Sequence, residues 1–520
     1  MYVNCDNGGD SVRYDDTDPI DIERYGKEML GMSFREIFER AVAEGNPLVT
    51  DKKYMDIHAD KNFKGGMGNL VEECWFEYKA NSNPEPDFEK AGVELKVTPY
   101  KAVKKGFSAK ERLVLTMIDY MEVYKEKDLL TSHLWKKLGC ILLAWYLHKD
   151  GQNDIDSTVD FVQLFTPPEE DLEIIKADYR KIIAKIEAGK ADELSEGDTT
   201  YLGACTKGAS AKSVRKQPFS DKVAKQRAFS LKSGYMTYLL NHYIIPKIPT
   251  YLYGTEEGCE FVAENAGFRD YERHFEVESI VDSNEIVPDF EDYVQQKIKV
   301  YVGWTEQELA LHFGLATTAK NRYAILAYRM LGIKGNMAEE FLKANIKVKA
   351  LRLQKNGTIR EKMDFPAFSF QQLARTEWED SVFGNYLHDQ RFFFVLYQED
   401  EDGSYRLKGS CFWNMPYQDI EGPVREVWER TRDIFRNGGL VLDIDMHGIV
   451  HNNLPKASES PIAHVRPHGR NRDDMAPLPE GTTLTIRSNA ASLHWPDVTM
   501  FTKQCFWLDT RYVLKQLAIR

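Results

Sequence analysis

Two distant parts of the chain read alike, segment after segment in the same order, and this internal repetition limits the possible folds more than any other feature. DFEKAGVELKVTP (87–99) lies without a gap against EFLKANIKVKALR (340–352). Upstream, GMSFREIF (31–38) and GWTEQELA (303–310) each set a Ser or Thr three residues before a Glu, at Ser33/Glu36 and Thr305/Glu308. That is the pattern of a capping box opening an amphipathic helix. Downstream, KERL (110–113) meets REKM (360–363), and KQRAFSLKSGY (225–235) meets the one-residue-shorter KQCFWLDTRY (503–512). Short lookalikes arise by chance, but four in one order are hard to dismiss. A chain of 520 residues also exceeds one hydrophobic core, and two domains of roughly 200 to 250 residues are the expectation. The repeat therefore predicts two diverged copies of one α/β unit, at 1–245 and 291–520. The acidic, Pro- and Gly-containing stretch 246–290 reads as a connecting region.

In the first copy, GNLVEECWFEYK (68–79) places Leu70, Val71, Cys74, Trp75 and Tyr78 on one helical stripe. LGCILLAWYLH (138–148) is a continuous apolar run suited to a strand buried on both faces. VELKV (93–97) alternates, so Val93, Leu95 and Val97 enter the core while Glu94 and Lys96 share the other face. Asp87 lies seven residues before Glu94, across FEKAG, and a turn at Gly92 lets the two carboxylates meet. Converging carboxylates repel unless a cation sits between them, and hard oxygen ligands suit Mg2+. Spacing alone leaves an ordinary surface ion pair on an edge strand as the alternative.

The net charge of −13 weighs against a nucleic-acid partner only on average, because binding depends on local field. From Gly203 to Lys232 there are eight Lys or Arg and a single acid, Asp221. This is either a solvated basic loop or a phosphate-contacting surface. The seven cysteines form no CxxC or Cys/His cluster, so neither a zinc site nor a disulfide framework is indicated. KGGMGN lacks the GK[ST] of a phosphate loop, and neither GxSxG nor HExxH occurs. The longest apolar runs fall far short of a membrane span, so a cytoplasmic protein is expected.

KGGMGNLVEECWF and NPEPDFEKAGVELKVTPYK closely resemble the MutH family of DNA endonucleases, with its Lys-Gly-x-x-Gly helix, Pro-Asp and GVELK strand. The length and the doubled unit resemble the MutH-like type II restriction endonucleases that cut at GATC. The resemblance implies two restriction-endonuclease-type α/β domains, each a mixed central β-sheet flanked by helices. It implies Asp87, Glu94 and Lys96 as the nuclease triad of the PD-(D/E)xK class. A helix glutamate belongs to the same site. Counting from Gly68 selects Glu72 and counting from Trp75 selects Glu73; Glu72 is preferred. A further family lysine, counted from TSH, falls at Lys137. Asp87, Glu94 and Glu72 would hold Mg2+, and products with 5′-phosphate and 3′-hydroxyl ends are implied.

The same resemblance marks YLGACTK as the DNA-reading region, with Lys207 retained and Cys205 where the family has an arginine. Lys64, Lys207, Lys212, Arg215, Arg227 and Lys232 are the expected DNA contacts. Ser230 replaces a tyrosine that in MutH is linked to sensing methylation. In the second copy Glu340, Lys347 and Lys349 stand where Asp87, Glu94 and Lys96 stand. Two lysines there would repel Mg2+, so this copy is expected to be catalytically inactive. Its reading elements persist, in HVRPHGRNR (464–472) and FTKQCFW (501–507). Arg466, His468, Arg470, Lys503 and Gln504 are therefore expected to bind a second GATC site and act as an allosteric effector. A cognate DNA methyltransferase is expected in the same system. A MutH-type mismatch-repair nicking enzyme and a non-catalytic DNA-binding regulator are the alternatives.

Overall fold

The computed structural model describes residues 13–49, 54, 66–80, 83–103, 106–149, 151–207, 213–251, 277–281, 287, 289–316, 321–447, 449–488 and 497–517. Most of the connecting region, and both Lys64 and Lys212, lie outside the described residues. The strands of the first unit are β1 (Glu94–Ala102), β2 (Phe107–Ala109), β3 (Leu113–Met117), β4 (Ile141–Leu147), β5 (Val159–Phe165), β6 (Leu202–Thr206), β7 (Val214–Lys216), β8 (Val223–Lys225) and β9 (Arg227–Leu231). Those of the second are β10 (Ile346–Leu353), β11 (Met363–Asp364), β12 (Arg391–Glu399), β13 (Tyr405–Trp413), β14 (Val441–Ile444), β15 (Val450–Asn452), β16 (Ala463–Pro467), β17 (Met475–Pro477), β18 (Thr485–Ser488), β19 (Met500–Thr502) and β20 (Gln504–Leu508).

The duplication is visible in the topology. The first unit's main sheet has the order β2-β1-β4-β5, with β1 parallel to β4 and the outer strands antiparallel to their neighbours. The second has β10-β12-β13, with β10 parallel to β12 and β13 antiparallel. This is the same arrangement without the β2 edge. Smaller sheets repeat as well: β9 lies antiparallel between β3 and β6, and β20 lies antiparallel between β11 and β16.

Local chemistry explains the match. Ser33 and Thr305 cap the helices Phe34–Ala43 and Glu306–His312, each with a complete capping box. The turn before each leading strand needs a left-handed residue, and Gly92 (φ 67°) and Asn345 (φ 51°) supply it. A parallel pair such as β1/β4 cannot be closed by a hairpin. The crossover between them carries β2, β3 and the helix His133–Leu138. β4 is buried at six successive positions, as expected of an interior strand.

One expectation changes. The helix over 68–79 is α-helical only at Gly66–Leu70 and continues as a π turn, Val71–Trp75, before ending. Leu70, Val71, Cys74 and Trp75 still face the core, and Tyr78, which lies past the end of the helix, packs partly buried against the same cluster. The two units also do not keep wholly separate cores. One apolar cluster joins Trp145, Phe165, Tyr179 and Phe229 to Phe341, Phe393 and Tyr397 of the second unit. Each unit retains a cluster of its own on its far side. Among the described residues, no helix is long and apolar enough to cross a membrane.

Candidate active site

β2 pairs with β1 only at Tyr100–Ala102, so the Glu94–Lys96 end of β1 is open on one side. At that end the backbone is pinned to β4's approach by Glu94 N–H donating to the Cys140 carbonyl at 3.0 Å. The turn through Gly92 folds the preceding segment back, with Phe88 bridged to Val93. Asp87 is thereby delivered to the strand, and its Oδ2 accepts the Leu95 N–H at 2.9 Å.

The Glu94 carboxylate lies between two ammonium groups. Lys137 Nζ donates to Oε2 at 2.7 Å, and Lys96 Nζ bonds Oε1. Lys137 also donates to the Glu85 carbonyl. By its position next to the apolar run 138–148, Lys137 would stand at the start of the buried strand; it sits instead in the last turn of the helix His133–Leu138, whose N-cap is Ser132. The TSH segment is thus the capping signal that sets this helix and aims Lys137 at β1.

Of the two helix glutamates, Glu72 faces the cluster. Burial and then the charge of Asp87 push its carboxyl up to about 7, with Lys96 opposing and Glu94 adding to the shift. Glu73 points elsewhere: Tyr54 Oη donates to its carboxylate at 2.6 Å, and the Ala80 N–H at 3.2 Å. Asp87 is pushed up to about 6, by burial first and by Glu94 second. One group was not foreseen. The Tyr78 hydroxyl is buried without a hydrogen-bond partner, and its pKa is raised by burial and by Asp87, Glu72 and Glu94. It faces the acids, although the sequence offered it only as an apolar stripe residue.

This donor set suits a hard divalent cation. Asp87 and Glu72 have raised proton affinity, from burial first and a neighbouring acid second, so their joint ionisation is favoured by added positive charge. The lysines supply what positive charge there is. Among the described residues no three acids stand close enough to form a finished metal cage, because Glu94 is turned to Lys96 and Lys137.

Comparison with known proteins decides the family. The family described as "MutH: DNA mismatch repair enzyme MutH" matches residues 76–178, which span Asp87, β1 and Lys137. The type II restriction enzyme Sau3AI of Staphylococcus aureus is 37% identical over 486 residues, covering 88% of this chain and 93% of that protein. The chain belongs to the MutH-like type II restriction enzymes. DNA mismatch repair protein MutH of Vibrio campbellii is 29% identical over 228 residues, covering 42% of this chain and 91% of its own. That of Shewanella woodyi is 29% identical over 187 residues, covering 35% and 78%. The MutH proteins thus match less than half of this MutH-like restriction enzyme, whereas the restriction enzyme matches most of it. A restriction enzyme of this kind is a site-specific deoxyribonuclease.

The expected DNA-contacting residues of this MutH-like enzyme fall into two groups. Lys207, just past β6, and Arg215, in the β7/β8 ribbon, are exposed. Arg227 and Lys232 are buried, contrary to the expectation of a DNA-facing surface. The Arg227 guanidinium donates to the Ala204 carbonyl at 2.6 Å and lies 5.0 Å from the Tyr417 ring of the second unit. The Lys232 ammonium bonds the Thr199 carbonyl, and burial, opposed by Asp178, pushes its pKa down to about 8. Both side chains bind their own fold. In the second unit Arg466, His468 and Arg470 are exposed, whereas Gln504 is buried. Lys503 pairs with Asp474 at 2.6 Å, and Arg470 approaches the same carboxylate at 3.4 Å.

Proposed function

We propose that the chain is a Mg2+-dependent restriction endonuclease that cuts both strands of DNA at GATC and leaves 5′-phosphate and 3′-hydroxyl ends. It would act in the cytoplasm beside a cognate methyltransferase. The observation that carries this reading is the Glu94 carboxylate held between Lys96 and Lys137, with Asp87 and Glu72 beside it. In the proposed assignment Asp87, Glu94 and Glu72 hold the ion, which supplies Lewis-acid polarisation of the phosphate and neutralises charge there.

The chain's own groups do the rest. Lys96 and Lys137 already reach one carboxylate from two sides, so each is placed to hydrogen-bond a phosphate oxygen or the attacking water. Water attacks phosphorus, the bond to the 3′ oxygen breaks, and that oxygen leaves with a proton. Lys207 and Arg215, with Lys64 and Lys212, are proposed to contact the DNA. Arg227 and Lys232 are given a supporting role beneath that surface. The second unit is proposed to bind another GATC site through Arg466, His468, Arg470 and Lys503, with Gln504 supporting β20, and to activate the first.

A supercoiled plasmid with one GATC site tests the scheme. Linear product is expected in Mg2+, accelerated by an uncleavable GATC oligonucleotide added in trans. Nicked circles as the end product would favour a strand-nicking enzyme, and no cleavage would favour a DNA-binding regulator. Lack of acceleration in trans would remove the effector assignment.

The acid cluster also sets a pH dependence. Carboxyls raised to about 6 and about 7 are neutral below those values, and only the ionised forms bind a cation well. The Mg2+ concentration giving half-maximal cleavage should therefore rise as pH falls from 8 to 6, by roughly tenfold per unit once one proton must be displaced. A requirement that stays flat over that range would remove Asp87 and Glu72 as the titrating ligands.

A further inference from the structure

The cleft of the second unit reverses the charge pattern of the first. β10 runs beside β12 as β1 runs beside β4, and the left-handed turn at Asn345 precedes it as Gly92 precedes β1. Lys347 and Lys349 thus stand on the strand face that in the first unit carries Glu94 and Lys96. The counterpart of Asp87, Glu340, is directed away. Its carboxylate accepts the Ile280 and Val281 N–H groups at 3.0 Å and the Ser279 hydroxyl at 2.7 Å. It fastens the end of the connecting region to the second unit instead of facing the cleft.

Among the described residues neither Lys347 nor Lys349 has a carboxylate partner, whereas Lys96 and Lys137 both have one. Lys349 Nζ is steered by a bond to the Lys362 carbonyl at 2.9 Å. Burial and then the neighbouring Lys347 lower its proton affinity, opposed by Asp364 and Glu361. Glu361 is already engaged by Arg352 at 2.6 Å. β10 is the edge of its sheet, and the Lys347 side chain is exposed.

The positive line continues. Lys362 and Arg466 both lie over the indole of Trp507, at 5.5 and 5.0 Å from its centroid. The matching strand positions of the first unit carry neither the arginine nor the indole. Pairing register puts Cys205 opposite Ala228 where Arg466 lies opposite Cys505, and Ser230 beside Gly203 where Trp507 lies beside His464. A merely solvated surface gains nothing from holding one lysine half-buried against another. An anion between them removes that penalty.

We propose that the second unit's cleft is a metal-independent clamp for a DNA backbone phosphate, with Lys347 and Lys349 as its donors and Lys362, Arg466 and Trp507 extending the contact. The clamp rests on the reading of this unit as a second DNA-binding site. It also gives that site a property the first lacks: without a cation, Asp87 and Glu72 disfavour a phosphate at the first unit's acid cluster, whereas the clamp needs no cation, so removing the cation raises the second unit's share of the binding.

The test is fluorescence anisotropy of a labelled GATC duplex with the full chain in EDTA, across a salt series. Lys347→Ala/Lys349→Ala is expected to weaken binding about tenfold or more and to flatten the slope of log K against log salt by about 1 to 2. Lys347→Arg/Lys349→Arg, which keeps both charges, is expected to bind within about twofold of the parent. Arg466→Ala separates the two layers of the proposal. If it weakens EDTA binding while the double Ala variant keeps parental affinity and slope, the clamp is overturned and the second site stands. If neither variant changes EDTA binding, both are overturned.

Discussion

Replacing Asp87 with Asn is expected to abolish cleavage and at the same time to stabilise the protein. The activity loss follows from removing a proposed cation ligand and its charge, and should reach about 10³-fold or more in single-turnover cleavage of a duplex. The gain in stability follows from the proton balance. Asp87 is raised to about 6 in the folded chain, by burial and by Glu94, and Glu72 to about 7. Between an unfolded value near 4 and these folded values, the folded state binds more protons than the unfolded one. Stability therefore falls as pH rises through that window and the full penalty is present above about 7. Asn keeps an oxygen to accept the Leu95 N–H but carries no charge. In EDTA at pH 8, Asp87→Asn should gain on the order of 1–2 kcal/mol after solvent screening is allowed for, and at pH 4 the gain should vanish. Calorimetry at the two pH values checks this. A variant that melts lower than the parent at pH 8 would show that the acids are not strained against one another.

The same cluster shows which parts of the site are legible without the fold. The alternation of VELKV puts Glu94 and Lys96 on one face of β1 and Leu95 on the other, but the strand is not half-exposed as the alternation suggested: Glu94 is as buried as Leu95, and Val97 is only partly so. Gly92 announced its turn because a position with φ of 67° favours the one residue without a Cβ. The duplication was legible for a similar reason. Capping boxes, edge turns and strand registers depend on few residues, so they survive as short matches after the rest has diverged.

What was not legible depends on contacts between distant segments. Lysine and arginine usually belong to the surface, yet Arg227 and Lys232 are enclosed by the Ala204 and Thr199 carbonyls and by the ring of Tyr417 from the other unit. Composition cannot show that a cation will be met by carbonyl oxygens from another strand. Gln504, buried in β20, was missed for the same reason. The π turn at Val71–Trp75 has no sequence signature of its own, and it separates Glu72, which faces the acids, from Glu73, which is held by Tyr54. Tyr78 lies beyond the C-cap Phe76, where helical phase no longer tells which way a side chain faces.

The junction between the units supports the second large effect. Lys343, at the end of the helix Glu339–Lys343, is enclosed with Asp171 of the first unit, each side chain retaining 2% of its exposure. Its ammonium donates to Asp171 at 2.6 Å and to Glu339 at 2.7 Å, and lies 4.7 Å from the Tyr238 ring. Burial works against that charge, but Asp171 and Glu339 outweigh it and raise the Lys343 pKa. Asp171 is held from its other side by the Tyr235 hydroxyl at 2.9 Å. Lys343→Ala would leave an enclosed carboxylate with one neutral donor, and the cost is expected to be about 3–5 kcal/mol. Lys343→Met with Asp171→Asn should recover most of that, because neither group then carries an uncompensated charge. Urea unfolding of the two variants and the parent measures both quantities. Comparable losses in the single and double variants would mean that shape, not charge, holds the junction. The position gives the result functional weight: Lys343 lies four residues before Lys347 on the way into β10, and Tyr235 lies in the helix Ser233–Leu239 that follows β9. One ion pair therefore ties the start of the proposed phosphate clamp to the sheet beneath the first unit's basic surface. A loss of activation in trans that tracks the loss of stability would identify this contact as the route between the two sites.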